Sequence, residues 1–222
     1  MEDFSKLKSI VDLYFSKKYT LYKPKDANGE EIDKWFEFES RAKFLDSYLA
    51  YYQQLPDLKS AINDACSAKF KILYQGQEYL LKHTHQEEFK DNDGKIRGVN
   101  NIVLSTMASK LLAKETELAT AQSFQEVYEL VESIKVTGFG ELSNYDAAVR
   151  ISTYLGFKPT SIYLHAGTRI GAKHLEDKGL LPENSLLEAK LPIDIFPEPI
   201  QELDAIQIEN FLCSFKGNLK EI

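Results

Sequence analysis

The sequence predicts a mainly α-helical fold, a multi-helix bundle with room for one small β-hairpin near residues 70–82. Three observations predict it. Apolar residues recur every three to four positions through most of the chain, as one buried helix face requires. Hydrophobic residues make up 43% of the 222 positions, with 13 Phe and 12 Tyr, which supplies a sizeable core. No apolar run approaches the ~20 residues that a membrane-crossing helix needs.

The elements follow in order. Phe4, Leu7, Val11 and Tyr14 fall on one face of a first helix. The segment from Lys17 to Lys34 breaks the pattern with Pro24 and the Asn28-Gly29 turn signal. A long second helix is expected from about 31 to 55, with Phe38, Ala42, Leu45, Tyr48, Leu49 and Tyr52 as its stripe. Pro56 closes it and suits the first turn of a third helix over about 57–70. Residues 71–98 are the least regular. Strand-like pieces flank Gly76, and a polar loop, "KDNDGKIRG", follows. Helices resume over about 99–113 and 123–134, the second capped by Ser123 with Glu126 three residues on. A helix over 144–156, a short one over 165–176, a proline-rich acidic surface connection and a last helix over 200–215 complete the chain. The irregular stretch divides it into lobes 1–98 and 99–222, or lies inside one large domain.

The formal net charge of −7 excludes a generic, charge-driven nucleic-acid binder. The charge is uneven, however. Lys135 to Leu175 holds five basic residues and two acids, whereas residues 176–222 hold four basic residues and ten acids. The N-terminus carries Glu2 and Asp3 and lacks the basic flank of a secretory signal. Cys66 and Cys213 form no local pair and read as reduced thiols. A cytoplasmic protein is expected, with no membrane partner.

Within the basic window lies "VTGFGELSNYDAAVR". Gly138 and Gly140 flank Phe139 and permit a tight turn that a ligand can approach closely. Ser143 reads as the N-cap of the next helix, with Asp146 completing a capping box. Open amides and the helix dipole then favour an anion at the turn. On the following helix His165, Arg169 and Lys173 share a face at i, i+4, i+8, an all-basic stripe that an external phosphate would neutralise. Asp146 and Arg150, four apart, form either a surface ion pair or a device that aims Arg150 at the anion. Gly167 and Gly171 imply a close backbone approach, to a helix or to a ligand.

The helix, G-x-G loop and helix over residues 123–157, with small Ala147 and Ala148, resemble the helix-hairpin-helix DNA-binding superfamily. That resemblance implies loop amides gripping a DNA backbone phosphate without reading sequence. On the residues themselves, Gly138, Phe139 and Gly140 are expected to shape the loop, Arg150, Arg169 and Lys173 to supply charge, and His165 a hydrogen bond. The layout also resembles helix-hairpin-helix DNA glycosylases, with His165 at a comparable place. Tyr163 stands where those enzymes carry the catalytic Asp, and Glu141, Leu142 and Ser143 where bifunctional members carry a Lys, so glycosylase chemistry does not carry over. The expected function is nucleic-acid backbone binding, with duplex DNA as partner and no cofactor.

Two rivals stand beside it. His83 and His85 form an H-x-H pair that binds a metal if a third ligand joins, either His165 or a carboxylate, and this makes a metal-dependent hydrolase. A helical protein-interaction module is the other. "GTRIGAK" has three residues between its glycines and His174 after its Lys, so it is no phosphate-binding P-loop.

Overall fold

The computed structural model describes residues 4–222, so Glu2 and Asp3 lie outside the described residues. Among these there are ten α-helices and four two-stranded antiparallel sheets, a largely helical fold with small hairpins. None of the helices is long and apolar enough to cross a membrane. The chain forms two compact units. Unit 1 comprises Met1–Tyr19, Glu37–Leu45 and Pro159–Ile222; unit 2 comprises Thr20–Phe36 and Asp46–Lys158.

The chain order begins with α1 (Ser5–Ser16), β1 (Tyr19–Lys25), β2 (Glu31–Phe38), α2 (Arg41–Gln53) and α3 (Leu58–Ser67). β3 (Lys69–Tyr74) and β4 (Gln77–Lys82) form the expected hairpin, with Phe70 opposite Leu81 and Ile72 opposite Tyr79. Then come β5 (Phe89–Lys90), β6 (Ile96–Arg97), α4 (Asn101–Leu112), α5 (Glu115–Ala119), α6 (Phe124–Ser133) and α7 (Glu141–Leu155). The chain ends with β7 (Ser161–Tyr163), α8 (Ala166–Asp177), β8 (Lys190–Pro192), α9 (Glu198–Gln201) and α10 (Ala205–Leu219).

Unit 2 is organised around α7. Its residues from Ser143 to Thr153 are buried apart from Asp146, so it presents no solvent face over that length. A helix enclosed on all sides needs small residues where neighbours press closest. Ala147 and Ala148 are fully buried, and α3 and α6 both pack against α7. α3 starts at Asp57, whose side chain accepts from the Ser60 N–H at 2.7 Å, and that bond holds the carboxyl below its ordinary range. α3 also packs against α4.

In unit 1, Leu7, Val11 and Tyr14 of α1 join Phe211, Leu212, Phe215 and Leu219 of α10 in one apolar core. The Tyr14 ring meets Phe211 and Phe215 edge-on, at 5.9 and 6.1 Å between centroids. α8 lies against α10 at short range because Gly171 has no side chain: a Cβ there would strike the Leu212 carbonyl. Gly167 sits likewise over the Cys213 sulfur. The close approach implied by these glycines is therefore to a helix. α10 begins in a capping box of Asp204 and Gln207.

Four expectations need correction. Residues 31–55 are not one helix; β2 occupies Glu31–Phe38 before α2 begins. Over β2 only Phe36 is fully buried and exposure alternates, and Gly29 at φ +91° turns the chain from β1 into it. Ile32, Trp35 and Phe36 suit a pleated, half-buried surface, which outweighed the weaker helical spacing. The loop after residue 88 carries the short β5–β6 pair, tied by Asp91, whose side chain accepts from the Lys95 N–H. α7 starts at Glu141 with Gly140 as its N-cap, so Ser143 lies inside the helix and buried rather than capping it. Last, the proline-rich connection is not purely superficial: β8 pairs with β7, and Leu191, Phe196 and Ile200 are buried.

Candidate metal centre

The residues proposed to bind a phosphate divide between the two units. In unit 2, Gly138 takes φ +93° and Phe139 is buried, its N–H donating to the Val136 carbonyl at 3.0 Å. Gly138 and Gly140 are exposed, and no side chain caps α7. Arg150 is 1% exposed and turned into unit 2. In unit 1, His165 is the buried N-cap residue of α8, stacked on Tyr163. Arg169 donates to the carbonyls of Leu164, Leu186 and Glu188. Lys173 pairs with Asp177 at 2.6 Å. Asp177 lies one further step along the same i, i+4 row, so the stripe ends in an acid that its sequence reading did not include.

Arg150 and its neighbours form a connected polar group in unit 2. Its Nη1 donates to the Ala65 carbonyl at 2.8 Å, Nη2 to Gln86 Oε1 at 2.9 Å, and Nε to the Tyr48 hydroxyl. Nη2 also stands 3.5 Å from Asp146 Oδ2, one turn back on α7. A guanidinium is the group for this position because its planar fork reaches several acceptors at once and stays charged when buried. Gln86 closes the ring by donating its Nε2 to Asp146 Oδ2 at 2.9 Å.

The histidines complete the cluster. The His83 N–H bonds the Ala68 carbonyl, extending the β3–β4 ladder by one step. The chain then turns, and the amides of Gln86 and Glu87 both return to the His83 carbonyl. That turn, rather than a common strand face, brings the two rings together, 4.5 Å between centroids and nearly perpendicular. His85 Nδ1 lies 2.9 Å from Asp146 Oδ2. One donor atom from each of His83, His85 and Asp146 falls within 4.8 Å of the other two. Burial by itself would push the Asp146 carboxyl up. The Arg150 charge, then His85 and His83, overcome that and hold it well below the usual carboxylate range. It is therefore a charged carboxylate across the neutral pH range.

Two imidazoles and a carboxylate are a donor set for a divalent transition ion, with zinc and iron both suited. The His85 side chain keeps 36% of its surface and Asp146 13%, so one side of the cluster opens to water. The other side is closed by Arg150, Gln86 and Tyr48, which orient the donors as supporting groups do in metal sites. The group that stands beside the two imidazoles is a carboxylate, one of the two options the sequence left open for a third donor. On sequence grounds Asp146 is a capping residue and the i, i+4 partner of Arg150. Its only sequence signal was an Asp-Arg pair set among Ala147, Ala148, Val149 and Ile151, a charged couple in an apolar stretch.

Fold and site together give a largely helical protein with a cluster of three donor atoms, one from the enclosed helix α7 and two from the turn after β4. Comparison with family models, curated proteins and solved structures gives no match to the chain.

Proposed function

We propose that unit 2 holds a divalent transition-metal ion on His83, His85 and Asp146 and that the protein is a metal-dependent hydrolase. The observation that carries this is the convergence of the three donors, drawn from two distant segments, beside a guanidinium that keeps the carboxylate charged. An ion with three protein ligands and an open side supplies Lewis acidity and an acidified water. Arg150 and Gln86 hold the carboxylate in place, and the exposed edge at His85 admits substrate.

Elemental analysis and zinc titration test the reading. Zinc, manganese or iron is expected at one equivalent, lost in His83→Ala and His85→Ala, together with chelator-sensitive cleavage of an activated phosphoester or carboxylic ester. Absence of stoichiometric metal would discard the site. A metal-loaded protein inert toward both esters would discard the hydrolase.

One observation favours a second reading, nucleic-acid backbone binding at the glycine turn. α7 begins directly after Gly140, without a side-chain cap, as in the helix-hairpin-helix arrangement. Duplex DNA is then expected to bind more weakly as salt rises, with little discrimination between sequences. Salt-independent binding would count against it.

A further inference from the structure

Unit 2 contains a second feature, independent of the metal reading. A cavity of about 420 Å³ lies among α3, α4 and the open end of the β3–β4 hairpin. This is within the size range of small-molecule sites. Lys69 and Lys82 both line it. They are also register partners, directly opposite one another across the hairpin. Like charges in that position repel and destabilise a strand pair. The acids nearby have other hydrogen-bond partners, while Glu87 and Glu88 also act on the Lys82 charge without bonding it. Asp64, also on the cavity wall, accepts from the Tyr51 hydroxyl. Glu87 pairs with Lys23 at 2.7 Å, and Glu88 accepts from Asn100. Lys82 gives one of its three protons to Asn101, at 2.8 Å, and no hydrogen bond or ion pair holds the Lys69 ammonium among the described residues.

The rest of the wall is hydroxylic. Ser67, Ser105 and Ser109 face the cavity. Each hydroxyl already donates to a carbonyl in its own helix, Ser67 to Asn63, Ser105 to Ile102 and Ser109 to Ser105. Their protons are spent, so what they offer a ligand is acceptor lone pairs. A complementary ligand carries an anion for the two ammonium groups and hydroxyl donors for the serine oxygens. We infer that this cavity binds a phosphorylated polyol of sugar-phosphate size, its phosphate between Lys69 and Lys82 and its hydroxyls on the Ser67, Ser105 and Ser109 side.

The test is calorimetric titration of the full chain, in EDTA so that no metal contributes, with glucose 6-phosphate, inorganic phosphate and glucose as probes. Glucose 6-phosphate is expected to bind one-to-one, at least about tenfold more tightly than inorganic phosphate, with glucose weaker still. Lys69→Gln and Lys82→Gln should each weaken it at least about tenfold, the value of a charge-assisted hydrogen bond. Near-ultraviolet circular dichroism checks that each variant is folded. Ser109→Ala, at an exposed position on α4, should weaken glucose 6-phosphate but leave inorganic phosphate unchanged. Absence of saturable binding by both anions, or affinity indifferent to both lysines in folded variants, would overturn the site. Equal affinity for the two anions would overturn the polyol assignment.

Discussion

At the residue scale the decisive group is Arg150. A buried guanidinium is costly to desolvate and is tolerated only where its donors find acceptors. Here Tyr48, Ala65, Gln86 and Asp146 all depend on it, so its removal strands several buried polar groups at once. Arg150→Ala is expected to destabilise the protein by about 3–5 kcal/mol, read as a fall in the urea midpoint. Arg150→Lys keeps the charge but loses the fork, and metal affinity should fall by roughly 10–100-fold, the usual penalty for losing an orienting partner. A stability loss below about 1 kcal/mol in Arg150→Ala would contradict this account. Cys66, close enough to feel the Arg150 charge, nonetheless has its thiol pushed up to about 12 by burial, which makes it inert rather than nucleophilic.

At the element scale the clearest constraint is the α8–α10 contact. Gly171→Ala places a methyl against the Leu212 backbone, which cannot move aside without shifting a helix. The expected cost is about 1–3 kcal/mol in chemical denaturation. Gly217, on α10 itself, has open space around the position of a Cβ. Gly217→Ala should therefore stabilise, by up to about 1 kcal/mol, through helix propensity and a less free unfolded chain. If the two substitutions behaved alike, propensity rather than packing would govern α8. The contrast also shows how far sequence reading reached. The i, i+4 glycines signalled close approach, but only the fold separates them from Gly217. The β1–β2 hairpin was not legible as strand, because a segment only half buried weakens both periodicities.

At the scale of the whole molecule the segments of the two units alternate along the chain. The core of unit 1 joins Leu7, Val11 and Tyr14 to Phe211, Phe215 and Leu219, from opposite ends of the chain. In unit 2, α3 packs on α7 across the irregular segment that follows β4. A fragment of residues 99–222 lacks α1 and α3 and should bury neither α10 nor α7. Fast amide exchange in both helices, where the full chain protects them, is the expected result; native-like protection in the fragment would refute it. Such interleaving has no compositional signature, because the contacts that define it join residues whose sequences carry no mark of one another.

The sequence by itself determined the helices with full apolar stripes, the β3–β4 hairpin, the Ser123 cap and the close approach at Gly167 and Gly171, though not that the neighbour is a helix, because propensity and periodicity act over a few residues. It also marked His83 and His85 as a pair. Only the tertiary structure decided that Asp146, 61 positions away, meets His85, that Arg150 turns inward, and that Lys69 and Lys82 face a common cavity. Those outcomes depend on which buried polar groups find partners once the chain is packed.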